Sequence, residues 1–201
     1  RLRTGFDVVQ EDGRKIQFLE GRELAIDRPD RLRITERGPE GTAGGIVFDG
    51  RRMTVWDGDA GVYAQVDQPG GIDDAITYFV RDLQMRLPLA ALLTTRAAAE
   101  FDQRVQSVDL VEWTDVLGRP AWHLAGSTGT VDFQAWVADG PQPLPLRIVL
   151  TYPEPGLPQY WAEFSDWNLE PRFAGDAFAF APAEGAQQII FAIQVQPLPG
   201  E

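Results

Sequence analysis

Apolar and polar residues alternate along short segments over most of the chain. Between residues 5 and 67, and again between 105 and 170, each segment is about as long as a typical strand. Asp-Gly pairs and other short turn sequences separate the segments, which is typical of tight hairpins. Because connections this short cannot cross over a sheet, the pattern predicts an antiparallel meander.

The apolar period changes to that of a helix between residues 72 and 104. Pro88 divides this stretch, because proline ends one helix, here expected to run to about Leu87, and can open the next. A third short helix is expected over 96–104. The stretch therefore predicts a helical insertion in the middle of the chain.

The pattern predicts a single domain over residues 1–201, with an apolar segment over 171–201 that fits either strand or coil. About ten or eleven strands have more apolar area than three short helices can cover. Such a sheet must curl on itself. The predicted fold is therefore α+β: a half-open, strongly curved antiparallel β-barrel with a helical lid inserted mid-chain.

An apolar face is clearest in the predicted hairpin VDFQAWVADGPQPLPLRIVLTY, residues 131–152, where apolar residues alternate along both arms. If the lid covers a cavity, apolar residues of the lid and of the sheet line it. These residues are Phe79, Leu83, Leu92, Leu93, Phe133, Val137, Ile148, Leu150 and Phe164. Solid packing of the helices on the sheet would give the same pattern, so periodicity alone does not separate the two alternatives.

Three tryptophans lie on the opposite, nominally polar face of their strands: Trp56, Trp136 and Trp161. One interpretation is cross-strand aromatic contact, which contributes up to about 1 kcal/mol per pair. The other is a docking patch for a partner protein. The structural interpretation is favoured, since single exposed apolar residues are common on protein surfaces.

Composition excludes several classes of function. The formal net charge of −12 argues against nucleic acid as a partner, because phosphate binding needs clustered cations. The chain has no cysteine, which excludes disulfides, thiolate metal sites and thiol catalysis. No apolar run is long enough to span a bilayer. Since the first residue is Arg1, we expect a mature product from which an export signal has been removed.

No motif in the sequence predicts catalysis, a metal or a cofactor. His123 is the only histidine, and GSTG (126–129) lacks the strand–elbow–helix context of a nucleophilic serine. DGDAG (57–61) resembles a calcium loop but has Gln68 where the bidentate glutamate would stand. We therefore expect His123 to be a structural residue of the sheet and the loop to be a hairpin turn.

Eight segments, in order along nearly the whole chain, carry a resemblance to a known family. They are RPDRLR (28–33), FDGRRMTVWD (48–57), YAQVDQPGGIDDAI (63–76), LPLAALL (87–93), HLAG (123–126), WVADGPQPLPLRIVLTY (136–152), DWNLEP (166–171) and FAFAPAEGAQQI (178–189). Together they resemble a bacterial family of predicted periplasmic proteins in the lipoprotein-carrier superfamily of LolA, LolB and LppX.

This resemblance implies a half-open barrel with an apolar interior that takes acyl chains in the carriers, and it implies export to the periplasm. The chain departs from the family in two places. It starts almost inside a strand, so part of the lid is expected to be missing, and PAWHLA lacks the cysteine that many members carry before the histidine.

The leading hypothesis is a non-catalytic periplasmic binding or carrier protein for a lipid, a lipoprotein acyl chain or another hydrophobic ligand, with no cofactor. The alternative is a protein-interaction or envelope-sensing module that docks through the aromatic face and has no ligand cavity.

Overall fold

The computed structural model describes residues 1–37, 43–85 and 87–191. Residue 86 of the predicted helical insertion and residues 192–201 of the predicted C-terminal segment lie outside the described residues.

Twelve strands and four short helical segments make up the described chain. The strands are β1 (Leu2–Val9), β2 (Lys15–Asp27), β3 (Arg31–Arg37), β4 (Ala43–Phe48), β5 (Arg52–Asp57), β6 (Val62–Asp67), β7 (Ser107–Val116), β8 (Arg119–Ser127), β9 (Asp132–Ala138), β10 (Pro145–Thr151), β11 (Gln159–Phe164) and β12 (Gln187–Ile189). The helical segments are α1 (Ile72–Thr77), a π-helical turn (Tyr78–Asp82), a 3₁₀ turn (Ala90–Leu93) and α2 (Ala97–Arg104).

The strands follow the hydrogen-bonded order β12-β6-β5-β4-β3-β2-β1-β11-β10-β9-β8-β7. Their pairs are antiparallel from β3 to β6 and from β2 through β1 to β7, while β12 pairs with β6 in parallel. The predicted meander is confirmed. Among the described residues the order ends at β12 and at β7, so hydrogen bonds do not close the sheet, and the barrel itself stays a prediction.

The described strands number twelve, against the predicted ten or eleven, and two segments differ from the prediction. KIQFLEG and ELAIDRP, expected as separate strands, form the single strand β2, because Gly21 pairs with Arg3 instead of making a turn. The segment whose pattern fitted strand or coil contributes the short strand β12.

The chain divides into two compact units. The first unit comprises Arg1–Arg22 and Ala98–Leu169, and the second comprises Glu23–Ala97 and Glu170–Glu201. Strand β2 continues from the first into the second. Each unit has its own packing and is described by itself, and the single domain over 1–201 stays a prediction.

In the second unit, helical residues pack on strands β3, β4 and β5. The buried core consists of Leu32, Ile34, Ile46, Phe48, Met53, Ile72, Ala75, Ile76, Phe79, Leu83 and Leu93. Asp74 Oδ2 accepts a hydrogen bond of 2.9 Å from the Gly71 amide at the start of α1. The helix predicted to reach Leu87 ends earlier, because Gln84 adopts a left-handed φ of 52°.

Candidate functional site

The register of the strands gathers most of the large apolar side chains of the first unit on one face of its sheet, which also carries Thr4, Glu20, Arg22 and Asp115. Trp122 is paired with Val137, and Leu124 is paired with Ala135 and with Leu110, so these side chains share one side of the sheet. We call this side the apolar face. Its apolar members are Leu2, Phe6, Val8, Ile16, Phe18, Val108, Leu110, Trp113, Trp122, Leu124, Phe133, Ala135, Val137, Ile148, Leu150, Tyr160, Ala162 and Phe164.

Burial along the apolar face is uneven. In the middle strands Phe133 and Tyr160 are buried, whereas Leu110 is 61% exposed and Trp113 57% exposed on β7, and Phe18 is 47% exposed on β2. Burial raises the pKa of Tyr160, an effect that Arg22 and the hydrogen bond with Thr4 partly oppose. A large contiguous patch of exposed apolar surface on a folded protein often marks a binding site.

A groove of about 450 Å³ lies on the part of the apolar face formed by β7, β8 and β9 and by the turn that follows β9. Its lining residues are Leu110, Trp122, Leu124, Val137, Ala138, Asp139, Gly140 and Pro143. Only Asp139 among them is charged. The groove is therefore suited to an uncharged, apolar group, which is the usual composition of small-ligand sites.

Asp139 orients the two exposed tryptophans beside the groove. The indole N–H of Trp113 donates to Asp139 Oδ2 at 3.2 Å, and the indole N–H of Trp122 donates to Asp139 Oδ1 at 3.2 Å. Since both indole donors are satisfied by this carboxylate, the rings present carbon to the apolar face.

One aromatic residue of α2 contacts the apolar face within the first unit. The ring of Phe101 meets the ring of Phe133 edge-on, with centroids 5.3 Å apart. Phe101 nevertheless remains 47% exposed, so its ring has apolar surface left over for further contact.

The opposite, polar face of the first unit carries a row of stacked side chains across five strands. The guanidinium of Arg147 lies 5.6 Å from the ring centroids of Trp136 and of Trp161, and that of Arg3 lies 5.9 Å from Trp161. His123 stacks on Trp136 with centroids 4.2 Å apart. Cation–π contacts of this kind tie neighbouring strands together.

His123 lies within this row. Its Nε2 is 3.1 Å from Gln134 Oε1, while Nδ1 is buried without a hydrogen-bond partner and lies 3.7 Å from Glu112 Oε1. No serine lies among these contacts. Along residues 1–37, 43–85 and 87–191, no group of three His, Asp or Glu side chains is placed to hold a metal ion.

The residues predicted to line a cavity fall into two groups. Five of them share the apolar face of the first unit: Phe133, Val137, Ile148, Leu150 and Phe164. In the second unit Phe79, Leu83 and Leu93 are buried in the core, and Leu92 is exposed. A cavity lined by all nine stays a prediction.

The three tryptophans of the predicted partner surface have intramolecular contacts. Trp136 and Trp161 stack on Arg147 in the first unit. In the second unit Trp56 packs 5.6 Å from the Phe180 ring, and its indole N–H donates to the Ala43 carbonyl at 2.9 Å. These contacts support the structural interpretation, and docking through these residues stays a prediction.

Sequence reasoning missed Trp113, Trp122 and Leu110 as members of the site. Alternation in PAWHLAGS already places Trp122 with Leu124, so that signal was available. Trp113 could not be placed, because a bulge between Leu110 and Glu112 shifts the alternation of β7 by one residue.

A family model described as "Predicted periplasmic protein (DUF2092)" matches residues 1–192. The chain belongs to this family. Both the family resemblance and the periplasmic location predicted from the sequence are thereby confirmed. No curated protein matches the sequence. Among the described segments, none of the helices is long and apolar enough to cross a membrane.

Solved structures that are similar to this chain include the following three. LprF from Mycobacterium bovis is 12% identical, covering 89% of this chain and 90% of its own, with a TM-score of 0.49. LppX from Mycobacterium tuberculosis is 11% identical, covering 86% and 87%, with a TM-score of 0.44. A LolA superfamily protein from Nitrosomonas europaea is 13% identical, covering 89% of each chain, with a TM-score of 0.43.

Proposed function

We propose that this protein is a non-catalytic periplasmic binding or carrier protein for a lipid, a lipoprotein acyl chain or another hydrophobic ligand. One observation carries the proposal: the apolar face of the first unit leaves Leu110 and Trp122 exposed in the lining of a groove of about 450 Å³, with Trp113 exposed on the same strand as Leu110. Exposing this surface without a ligand costs free energy that binding would recover.

The affinity expected for an acyl chain is moderate. The fourteen methylenes of a buried palmitoyl chain contribute roughly 11 kcal/mol, at about 0.8 kcal/mol each. Ordering the chain and losing its free motion costs several kcal/mol. The difference corresponds to dissociation constants between about a millimolar and a micromolar, which suits a ligand that is taken up and passed on.

The family resemblance supports a more detailed form of the proposal. In that form the sheet curves into a half-open barrel, and the helical insertion over 72–104 acts as a lid that moves to admit and release the ligand. Hydrogen exchange tests the lid, since a moving lid exchanges its amides faster than the sheet does.

A matched pair of substitutions on β7 tests the proposed site. Leu110 lines the groove and is 61% exposed, whereas the next residue, Val111, is 52% exposed and does not line it. Leu110→Asp places a charge against the ligand, and we expect it to weaken binding of a fluorescent palmitate analogue by about tenfold or more. Val111→Asp changes the charge of the same strand equally and should bind like the wild type.

Fluorescence titration, with unlabelled palmitate as competitor, measures both affinities. Circular dichroism establishes that both variants fold. Equal weakening by the two substitutions, or no saturable binding to the wild type, would refute the proposed site.

A further inference from the structure

Strand β7 forms an exposed edge of the first unit. It lies at one end of the strand order and, within the described ranges, pairs only with β8. All of its ten residues are exposed except Thr114 and Val116. A long edge strand offers unpaired backbone N–H and C=O groups to any extended chain, and proteins usually shorten or cover such edges.

The two faces of this edge differ in chemistry. Val108, Leu110 and Trp113 continue the apolar face, which ends on this strand at Asp115, whereas Asp109 and Glu112 lie on the polar face. The bulge between Leu110 and Glu112 shifts the alternation of β7 by one residue. Because of this shift, Trp113 lies on the same face as Leu110, and Glu112 lies on the same face as Asp109. The strand contains no lysine or arginine.

We propose that β7 binds an extended segment of another protein as an added strand, and that this segment alternates apolar residues with lysine or arginine. Main-chain hydrogen bonds to the edge would supply affinity that does not depend on sequence. Apolar side chains of the added strand would extend the row of Val108, Leu110 and Trp113. Its cations would lie beside Asp109 and Glu112, where opposite charges across strands are favourable.

Charge argues for a basic partner and against a second copy of this chain. Two β7 strands side by side would bring the carboxylates of both copies of Asp109 and Glu112 to one face with no cation in either strand. Like charges facing each other across strands are destabilising. Each chain also carries a net charge of −12, which adds repulsion between copies.

The proposal does not rest on ligand binding to the apolar face: Leu110 serves both, but the preference for a basic segment depends on the backbone edge and the carboxylates of β7. Its test uses two labelled decapeptides with blocked ends, one alternating valine and lysine and the other alternating valine and glutamate. Fluorescence anisotropy measures both affinities for the wild type and for the double variant Asp109→Lys/Glu112→Lys. We expect the wild type to prefer the lysine peptide by about tenfold and the double variant to reverse the preference.

A second double variant controls for the overall negative charge. Asp102→Lys/Glu154→Lys changes the net charge equally at exposed positions outside β7, and it should keep the preference for the lysine peptide. Amide hydrogen exchange on the wild type with the lysine peptide should show added protection within 107–116 and none in β10.

Three results would overturn the proposal. The first is equal affinity of the wild type for the two peptides. The second is equal loss of preference in the two double variants, which would mean that only the overall charge attracts the peptide. The third is self-association through this edge, seen by light scattering as a dimer that Asp109→Lys/Glu112→Lys disrupts, which would assign the edge to a second copy.

Discussion

Arg147 is the side chain of the polar face whose loss we expect to cost the first unit most. Its guanidinium stacks against Trp136 and Trp161 at 5.6 Å from each ring centroid, and Nη1 donates to Glu163 Oε1 at 3.2 Å. Each cation–π contact contributes about 0.5–1 kcal/mol. The ion pair contributes up to about 1 kcal/mol, because Arg147 is partly exposed.

Arg147→Ala should therefore lower the free energy of unfolding by roughly 1–3 kcal/mol. Arg147→Lys keeps the charge but not the planar group that stacks on both rings, so this variant should lose about 1 kcal/mol of the free energy of unfolding. Urea denaturation followed by circular dichroism measures both values. Arg119→Ala, at the exposed first position of β8, is the control and should cost less than about 0.5 kcal/mol.

If the free energy of unfolding of Arg147→Ala lies within about 0.5 kcal/mol of the wild-type value, the stacked row is refuted as a source of stability. Wild-type stability in Arg147→Lys would show instead that charge alone, and not stacking, accounts for the effect.

Three further substitutions test other parts of the structure. Asp73 accepts hydrogen bonds from the Thr95 amide at 2.7 Å and from the Thr95 hydroxyl at 2.5 Å. Burial raises the pKa of Asp73, but these two hydrogen bonds and the charge of Arg96 outweigh burial and hold the pKa below the usual 3.8. The carboxylate thus stabilises the fold above its unfolded pKa, and that stability is lost as pH falls through the folded pKa. Asp73→Asn should therefore cost about 1–2 kcal/mol at neutral pH and should reduce the fall of the urea midpoint as the pH is lowered. An unchanged fall of the midpoint would contradict the assignment. Gly126→Ala would place Cβ against the Ser107 carbonyl and the Phe133 ring, so thermal melts should show a loss of about 2 kcal/mol in the free energy of unfolding. Gly21→Ala is the control and should show no such loss, because the space around Gly21 is open. Asp139→Asn should shift the indole N–H resonances of Trp113 and Trp122 in an NMR spectrum and leave that of Trp56 in place. If the Trp113 and Trp122 resonances both stayed in place, the hydrogen bonds to a shared carboxylate would be contradicted.

The parts of the fold that sequence predicted are those fixed by local signals. Asp-Gly turns and alternating runs define hairpins such as β5–β6 within a few residues, and the helical period places the start of α1 correctly. The length of that helix was overestimated, since the left-handed conformation of Gln84 has no signature in a run of apolar periodicity.

The candidate site was harder to predict because it depends on pairing between distant segments. Five sheet residues of the predicted cavity do share one face, since alternation alone assigns faces within a strand. The bulge that brings Trp113 onto that face, and the carboxylate of Asp139 that accepts from two indoles, follow from register and turn geometry. Neither leaves a pattern within a single strand.

Native mass spectrometry of the protein purified from a bacterial periplasm tests the central claim most directly, because a bound lipid survives transfer into the gas phase. The proposed function predicts a complex of one protein with one lipid-sized ligand in the wild type and in Val111→Asp, and loss of most of that complex in Leu110→Asp. Ligand-free protein in all three samples, together with no uptake of added palmitate, would contradict it.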